Sequence, residues 1–443
     1  METTSTKIQA DQVRQIISRF MVADGLDLVL DLEKSRGARL FDAKRQEFFL
    51  DFFSFFATNP LGFNHPGLTS EEFIREIGRV AVQKPSNSDV YSRELAEFVD
   101  IFAREAKPDY MKYLFFIEGG ALAVENALKT AFDWKVRRNF AKGIKEEKGY
   151  QVIHFQQAFH GRSGYTLSLT NTADVRKTQY FPKFKWPRIV NPKCTFPLIG
   201  ENLARVEELE KRALHQIRAA IERDPDDIAC LIIEPIQGEG GDNHFRPEFH
   251  QALRRICDES DILLIHDEVQ TGFGGTGRMW AGQHYVKPDI MTFGKKTQVC
   301  GIMVGERLDV VPENVFHVPS RVNSTWGGNL VDMVRCRRFL EIYREENILG
   351  HTRQMGEKLL GELARLQADF PDRVSNARGL GLLCAFDLPS TEFRNKLRKK
   401  LFERRLLLLG CGERSVRFRT ALNIDEESLQ QGIAIIRQTL NEM

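Results

Sequence analysis

The 443-residue chain has almost no net charge: 63 Lys and Arg stand against 61 Asp and Glu, a balance of +2. That near-neutrality gives no electrostatic case for nucleic acid or an anionic membrane as a partner, and small molecules become the default ligands. No run approaches the roughly 18 apolar residues of a membrane-spanning helix. The opening residues, METTSTKIQADQVRQ, lack the basic-then-apolar pattern of a secretory signal, so a cytoplasmic location is expected. The seven cysteines (194, 230, 257, 300, 336, 384 and 411) are odd in number and scattered, without Cys-x-x-Cys or Cys/His spacing. This argues against a disulfide framework and against a zinc or other metal site, and for reduced thiols. There is no internal repeat and no low-complexity segment.

What the chain does have is a regular alternation of short apolar runs and amphipathic stretches. Runs at 113–117, 150–155, 228–233, 262–266 and 290–293 have strand length; helical periodicity occupies 121 onward, 201–223 and 247–260. The pattern predicts an α/β fold, a mainly parallel sheet with helices on both faces. The ends are different. Residues 9–20 read as a helix, 27–43 as a hairpin turning at Arg36-Gly37, and the aromatic run 48–56 as a core strand whose exit could line a site. After 330 come helices at 330–346, 355–370, 392–404 and 426–442, with strands at 379–387, 406–410 and 415–419, an α+β pattern. The expected division is an N-terminal segment 1–70 that forms part of a small domain, a large domain 71–335, and a C-terminal small domain 336–443.

Chemistry concentrates at strand exits, where ligands sit in open parallel sheets. The run 262–266 delivers Asp267, and the run 290–293 delivers Lys295. A carboxylate and an amine at neighbouring exits could hold the two ends of pyridoxal phosphate: the acid against the pyridinium nitrogen, the lysine on the aldehyde. Alone, such an Asp-Glu pair is as often a helix cap, and a Lys-Lys pair is usually surface. Glu118-Gly119-Gly120 followed by a helix at Ala121 offers free N–H groups to a phosphate, or is only a tight turn. In AFHGR, Phe159 could stack on a planar ring and Arg162 could take a carboxylate, while His160 more often serves a backbone group. Glu239 lies among glycines after the strand at 228–233, as a turn or as the lip of a site. Thr325 in NSTWGGN caps the next helix or holds phosphate. Arg417 and Arg419 share one strand face, either reaching a site or solvated.

Taken together, AFHGR, EPIQGEGG, DEVQTG, PDIMTFGKK and NSTWGGN resemble the class III aminotransferases, pyridoxal-phosphate enzymes of fold type I. The segments KPSNSDVY, EGGALAVENALK, FHGRSGYTLSLTNT and GKKTQVCG are most similar to the lysine 6-aminotransferase branch of that family. The resemblance implies a large mainly parallel sheet domain with a smaller α+β domain, and transfer of the ε-amino group of L-lysine to 2-oxoglutarate. Ornithine, 4-aminobutyrate or another ω-amine is the alternative donor, and a racemase or mutase of the same fold the alternative reaction. It also implies roles. Lys295 condenses with the aldehyde, with Lys296 adjacent as the alternative; Asp267 pairs with the ring nitrogen; Gln270 bonds the ring hydroxyl; Val269 and Phe159 sandwich the ring. Gly120 and Ala121 amides hold the phosphate, joined by Thr325 of a partner subunit, which requires a homodimer. Arg162 binds a substrate carboxylate. Glu239 and Arg417 form a switchable pair, with Arg419 the alternative arginine because Thr420-Ala421 stands where the family is often Pro-rich.

Overall fold

A computed structural model describes residues 8–443. Its strands, in chain order, are β1 (Leu30–Arg36), β2 (Arg39–Asp42), β3 (Glu47–Phe52), β4 (Met111–Ile117), β5 (Gln151–Phe155), β6 (Arg188–Ile189) and β7 (Ile228–Ile233). They continue with β8 (Leu263–Asp267), β9 (Ile290–Phe293), β10 (Cys300–Gly305), β11 (Ser375–Leu380), β12 (Leu383–Asp387), β13 (Leu406–Cys411) and β14 (Ser415–Arg417). Two seven-stranded sheets result. The first runs β4, β10, β9, β8, β7, β5, β6 and is parallel except for β10, which is antiparallel to both its neighbours.

Every residue of β7, β8 and β9 is buried, as a parallel sheet covered on both faces by helices requires. The helices Gly120–Ala141 and Pro247–Glu259 bury Val124, Leu128, Phe249 and Leu253 against it. Completely burying one such aliphatic or aromatic side chain contributes about 1.5–3 kcal/mol. The expected α/β architecture is observed, and the mainly parallel order predicted for 113–305 holds with β10 as its exception.

The second sheet joins the two ends of the chain in the order β1, β2, β3, β13, β14, β12, β11. Its one parallel pair sets Leu50 of β3 beside Leu406 of β13. The hairpin expected at 27–43 forms as β1–β2, with Gly37 at positive φ in its turn. Three local expectations shift. The N-terminal helix shrinks to Val13–Ser18, because it buries no side chain and an isolated helix that short has little to hold it. The single strand read at 379–387 is the hairpin β11–β12, reversed at Gly381 (φ 57°). The helix read from 355 starts at Ile348, and a Cβ on its Gly356 would lie 2.3 Å from the Gly381 carbonyl carbon. Helix and hairpin backbones thus touch where only glycines allow it. All seven cysteines are buried and unpaired. Among the described residues no helix is long and apolar enough to cross a membrane, and no cluster of His, Cys, Asp or Glu could hold a metal ion.

Candidate active site

The register of the first sheet sets Asp267, the last residue of β8, directly beside Thr292 of β9. Asp267 is buried and fully engaged: Thr292 Oγ1 donates to Oδ1 at 2.8 Å, the Val269 N–H to Oδ1 at 3.1 Å, and His160 Nδ1 lies 2.8 Å from Oδ2. Successive residues at a strand exit point to opposite faces, and the Asp-Glu pair divides accordingly. Glu268 turns inward, accepting from Thr271 Oγ1 at 2.5 Å, the Ala281 N–H at 3.0 Å and the Gly282 N–H at 2.5 Å. Burial pushes its carboxyl up to about 7.

The two lysines divide in the same way. Lys296 is buried, and its Nζ donates to the carbonyls of Gln270 at 3.0 Å and Gly272 at 3.1 Å, pinning the loop after β8. Lys295 Nζ makes no hydrogen bond or ion pair. Its backbone sits at φ 55°, a left-handed conformation unusual for a side chain of its size and of the kind that clusters at functional sites. Burial, then the Arg417 and Arg419 guanidiniums, bring its amine down to about 8, with Asp267 opposing. The neutral amine is the nucleophile, and its share rises with pH. We therefore expect cofactor-free protein to capture pyridoxal phosphate at a rate that climbs through pH 8 and levels by about pH 9, where an ordinary lysine would keep climbing past 10. Stopped-flow absorbance across pH 6.5–10.5 checks it.

Arg417, from β14 of the second sheet, reaches this cluster and donates through Nη1 to Gln270 Oε1 at 2.5 Å. Arg419 is committed elsewhere: Nη1 and Nη2 meet Asp242 Oδ2 and Oδ1 at 2.9 and 2.5 Å in a fully buried bidentate pair. Of the two arginines, Arg417 is thus the one without a carboxylate partner. Glu239 does not touch it. Glu239 Oε1 accepts from Thr172 Oγ1 at 2.7 Å and from Lys177 Nζ at 2.8 Å, so the two members of the expected pair stand apart in this structure.

The turn at Gly119 (φ 94°) starts the helix Gly120–Ala141 without a side-chain cap, so the N–H groups of Gly120 and Ala121 have no partner within the helix. A Cβ on Gly120 would lie 2.8 Å from Val269 Cγ1, which brings this turn against the β8 exit. The half-buried Phe159 makes no ring contact; its N–H donates to Glu234 Oε1 at 2.9 Å, and Gly238 N–H to Oε2 at 3.0 Å. Burial raises Glu234 to about 7, partly offset by His160. Arg162 is exposed and unpartnered. Thr325 is exposed too, in a loop whose Thr325, Ser324 and Gly328 carbonyls accept from Ser86, Ser88 and Asn87. No bond joins Thr325 to the Asp267 cluster.

These groups fit pyridoxal phosphate: an unbonded amine for the aldehyde, a braced carboxylate for the ring nitrogen, an uncapped helix end for the phosphate, and a free aromatic face. The buried His160 Nε2 and Arg417 Nε, both without partners, mark the same region as shaped for a polar ligand. His160 is the residue that reading the sequence ranked too low; Thr292, Lys177 and Asp242 went unread. A lone polar residue in the apolar run IMTF was the available signal for Thr292, whereas Lys177 and Asp242 carry none.

Residues 21–440 match the Aminotransferase class-III family. An L-lysine-epsilon aminotransferase of Mycobacterium tuberculosis is 53% identical over 432 residues, covering 97% of this chain and 95% of that protein. One from Streptomyces clavuligerus is 48% identical over 436 residues, covering 98% and 95%. A solved structure of lysine aminotransferase from M. tuberculosis matches with a TM-score of 0.96 at 52% identity, covering 98% of this chain and 100% of that one. With that match running nearly end to end over a fold that brings an acid and an unbonded amine to neighbouring strand exits, the chain belongs to the class III aminotransferases.

Proposed function

We propose that this enzyme transfers the ε-amino group of L-lysine to 2-oxoglutarate, giving 2-aminoadipate 6-semialdehyde and L-glutamate. The observation that carries the chemistry is the unbonded amine of Lys295, within electrostatic reach of both Arg417 and Asp267. The choice of lysine is supported by relatives 47–53% identical along almost the whole chain, each an L-lysine-epsilon aminotransferase.

Bound pyridoxal phosphate supplies the aldehyde that accepts the amino group and a ring that withdraws electrons from the reacting carbon. The protein supplies the rest. Lys295 Nζ, neutral in part near pH 8, takes the proton from the carbon bearing the reacting amine and later returns one. Asp267, its Oδ2 held by His160 and its Oδ1 by Thr292, would keep a proton on the ring nitrogen. Gln270 Oε1 is taken by Arg417, which leaves its amide N–H groups as donors for the ring hydroxyl. Val269 and Phe159 would enclose the ring, with the Gly120 and Ala121 amides on the phosphate.

Two substrates with different charges must use one pocket. Lysine enters by its ε-amine and carries its α-carboxylate to the far end, where Arg162 would bind it; 2-oxoglutarate also needs a cation beside the carboxylate next to its oxo group. Arg417 would be that cation, exposed when Glu239 turns away and masked when Glu239 returns.

A homodimer is part of this reading. Val90, Tyr91, Leu122 and Trp326 are exposed apolar residues, and Lys84 ties the Trp326 loop to the Gly119 turn, 3.8 Å from the Trp326 ring centroid and 2.8 Å from Glu118. A second copy packed over this loop would bring its own Thr325 towards the Gly120 turn. The cofactor-binding unit would be residues 71–335, with 1–70 and 336–443 forming the smaller one, in a cytoplasmic enzyme.

The test is a half-reaction. L-lysine added to the cofactor-loaded protein without any oxo acid should convert the bound cofactor to its aminated form, and 2-oxoglutarate should then reverse it with release of glutamate. Conversion by ornithine or 4-aminobutyrate but not by L-lysine would sink the assignment. Turnover of a single amino acid with no amine transfer would point instead to a racemase or mutase.

A further inference from the structure

Both groups that hold Glu239 away from Arg417 come from one short segment, 172–177. Thr172 is buried and donates through Oγ1 to Glu239 Oε1 at 2.7 Å. The same hydroxyl accepts from the Asp174 N–H at 3.4 Å, and the Asp174 carboxylate caps the 3-10 turn Val175–Lys177 by accepting from the Arg176 N–H. That turn carries Lys177, whose Nζ donates to Glu239 Oε1 at 2.8 Å. The ion pair is shielded: the Glu239 side chain is 18% exposed and that of Lys177 35%.

Each member of the separated pair keeps a buried polar atom without a partner. On Glu239 it is Oε2; on Arg417 it is Nε. Buried polar atoms are rarely left unpaired, and a group that alternates between two sets of partners is one way in which they come to be. The carboxylate here has two cations within its reach of influence. Lys177 binds it directly, and Arg417, whose pKa burial and then the Arg419 guanidinium lower, is close enough for the Glu239 charge to oppose that lowering through space. A carboxylate that must leave one cation for another divides its time according to the difference in their attraction.

We propose that Lys177, supported by Thr172, is the latch that retains Glu239 in its open position, and so sets how much of the enzyme offers an unmasked Arg417 to an α-carboxylate. This rests on the reading of Glu239 and Arg417 as a switch. Lys177 acts through Glu239, the one group its Nζ bonds. It is a specificity-determining positioning residue: strengthening the latch favours the dicarboxylic partner, and removing it lets Glu239 compete for Arg417.

Glutarate is the probe, a dicarboxylate of the acceptor's length without its oxo group, titrated calorimetrically into the cofactor-loaded enzyme. Lys177→Met should weaken glutarate binding about five- to tenfold. Lys177→Arg, which keeps a cation and a donor, should restore it to within about twofold. In a Glu239→Gln background, Lys177→Met should have no effect, because the group it restrains is no longer charged. In turnover, the counterpart is a raised KM for 2-oxoglutarate relative to that for L-lysine. Unchanged glutarate affinity in Lys177→Met overturns the proposal. Equal weakening in both backgrounds overturns it as well, since Lys177 would then bind the dicarboxylate itself. Failure of the underlying switch has a different signature and takes the latch with it: Glu239→Gln and Arg417→Ala would both leave glutarate binding at the parent value.

Discussion

Lys295→Ala should lower turnover by about 10⁴–10⁶-fold, because the amine proposed to capture the cofactor is also the one proposed to move the proton at the reacting carbon, and groups that act as a unit are lost together. The visible absorption of cofactor bound through the amine should vanish with it. The neighbouring substitution separates the two lysines. Lys296→Ala should keep that absorption and lose stability instead, since the buried carbonyls of Gln270 and Gly272 lose their shared donor. Leaving such acceptors unpaired costs about 1–3 kcal/mol each, which calorimetry would register as a lower melting temperature. Absorption lost in Lys296→Ala and kept in Lys295→Ala would move the assignment by one residue.

Asp267→Asn should come next in size, reducing kcat about 10³-fold, on the scale of removing a preorganised charge from a buried site. The change is nearly isosteric. The amide oxygen can still accept from Thr292 Oγ1 and the Val269 N–H, and its amino group can face His160 once that ring presents a lone pair at Nδ1. Fold and cofactor content should therefore survive while the rate falls, because a neutral amide does not hold a proton on the ring nitrogen. Cofactor content by absorbance and kcat by glutamate formation give the two readouts. Parent-like kcat at full cofactor occupancy would remove Asp267 from the electrostatic role.

How far this was legible beforehand differs from residue to residue. β7, β8 and β9 are buried along their whole length because both faces of the sheet are covered, so their positions could be read from runs made mostly of Ile, Leu, Met and Phe. Their exits followed, and with them Asp267 and Lys295. The Gly119-Gly120 turn was visible because a helix start with little side chain is a local pattern. The hairpin at Gly381 was not, since GLGLL alternates smoothly and the reversal is imposed by the approach of Gly356 from a distant helix. His160 was ranked low because its partner, Asp267, lies 107 residues away.

By itself the sequence determined the exits of β7, β8 and β9, the glycine turn and the placing of Asp267 and Lys295 at neighbouring exits, because each depends on hydrophobic periodicity and short-range backbone preference. Only the tertiary structure decided between equivalent neighbours. Lys296 bonds two carbonyls while Lys295 bonds none; Arg419 is spent on Asp242 while Arg417 is open; Glu239 faces Lys177 and not Arg417. Adjacent or alternate residues of one chemical type have the same local signal. What separates them is which distant charge or carbonyl the fold sets within hydrogen-bonding reach, and that is fixed only once both sheets have formed.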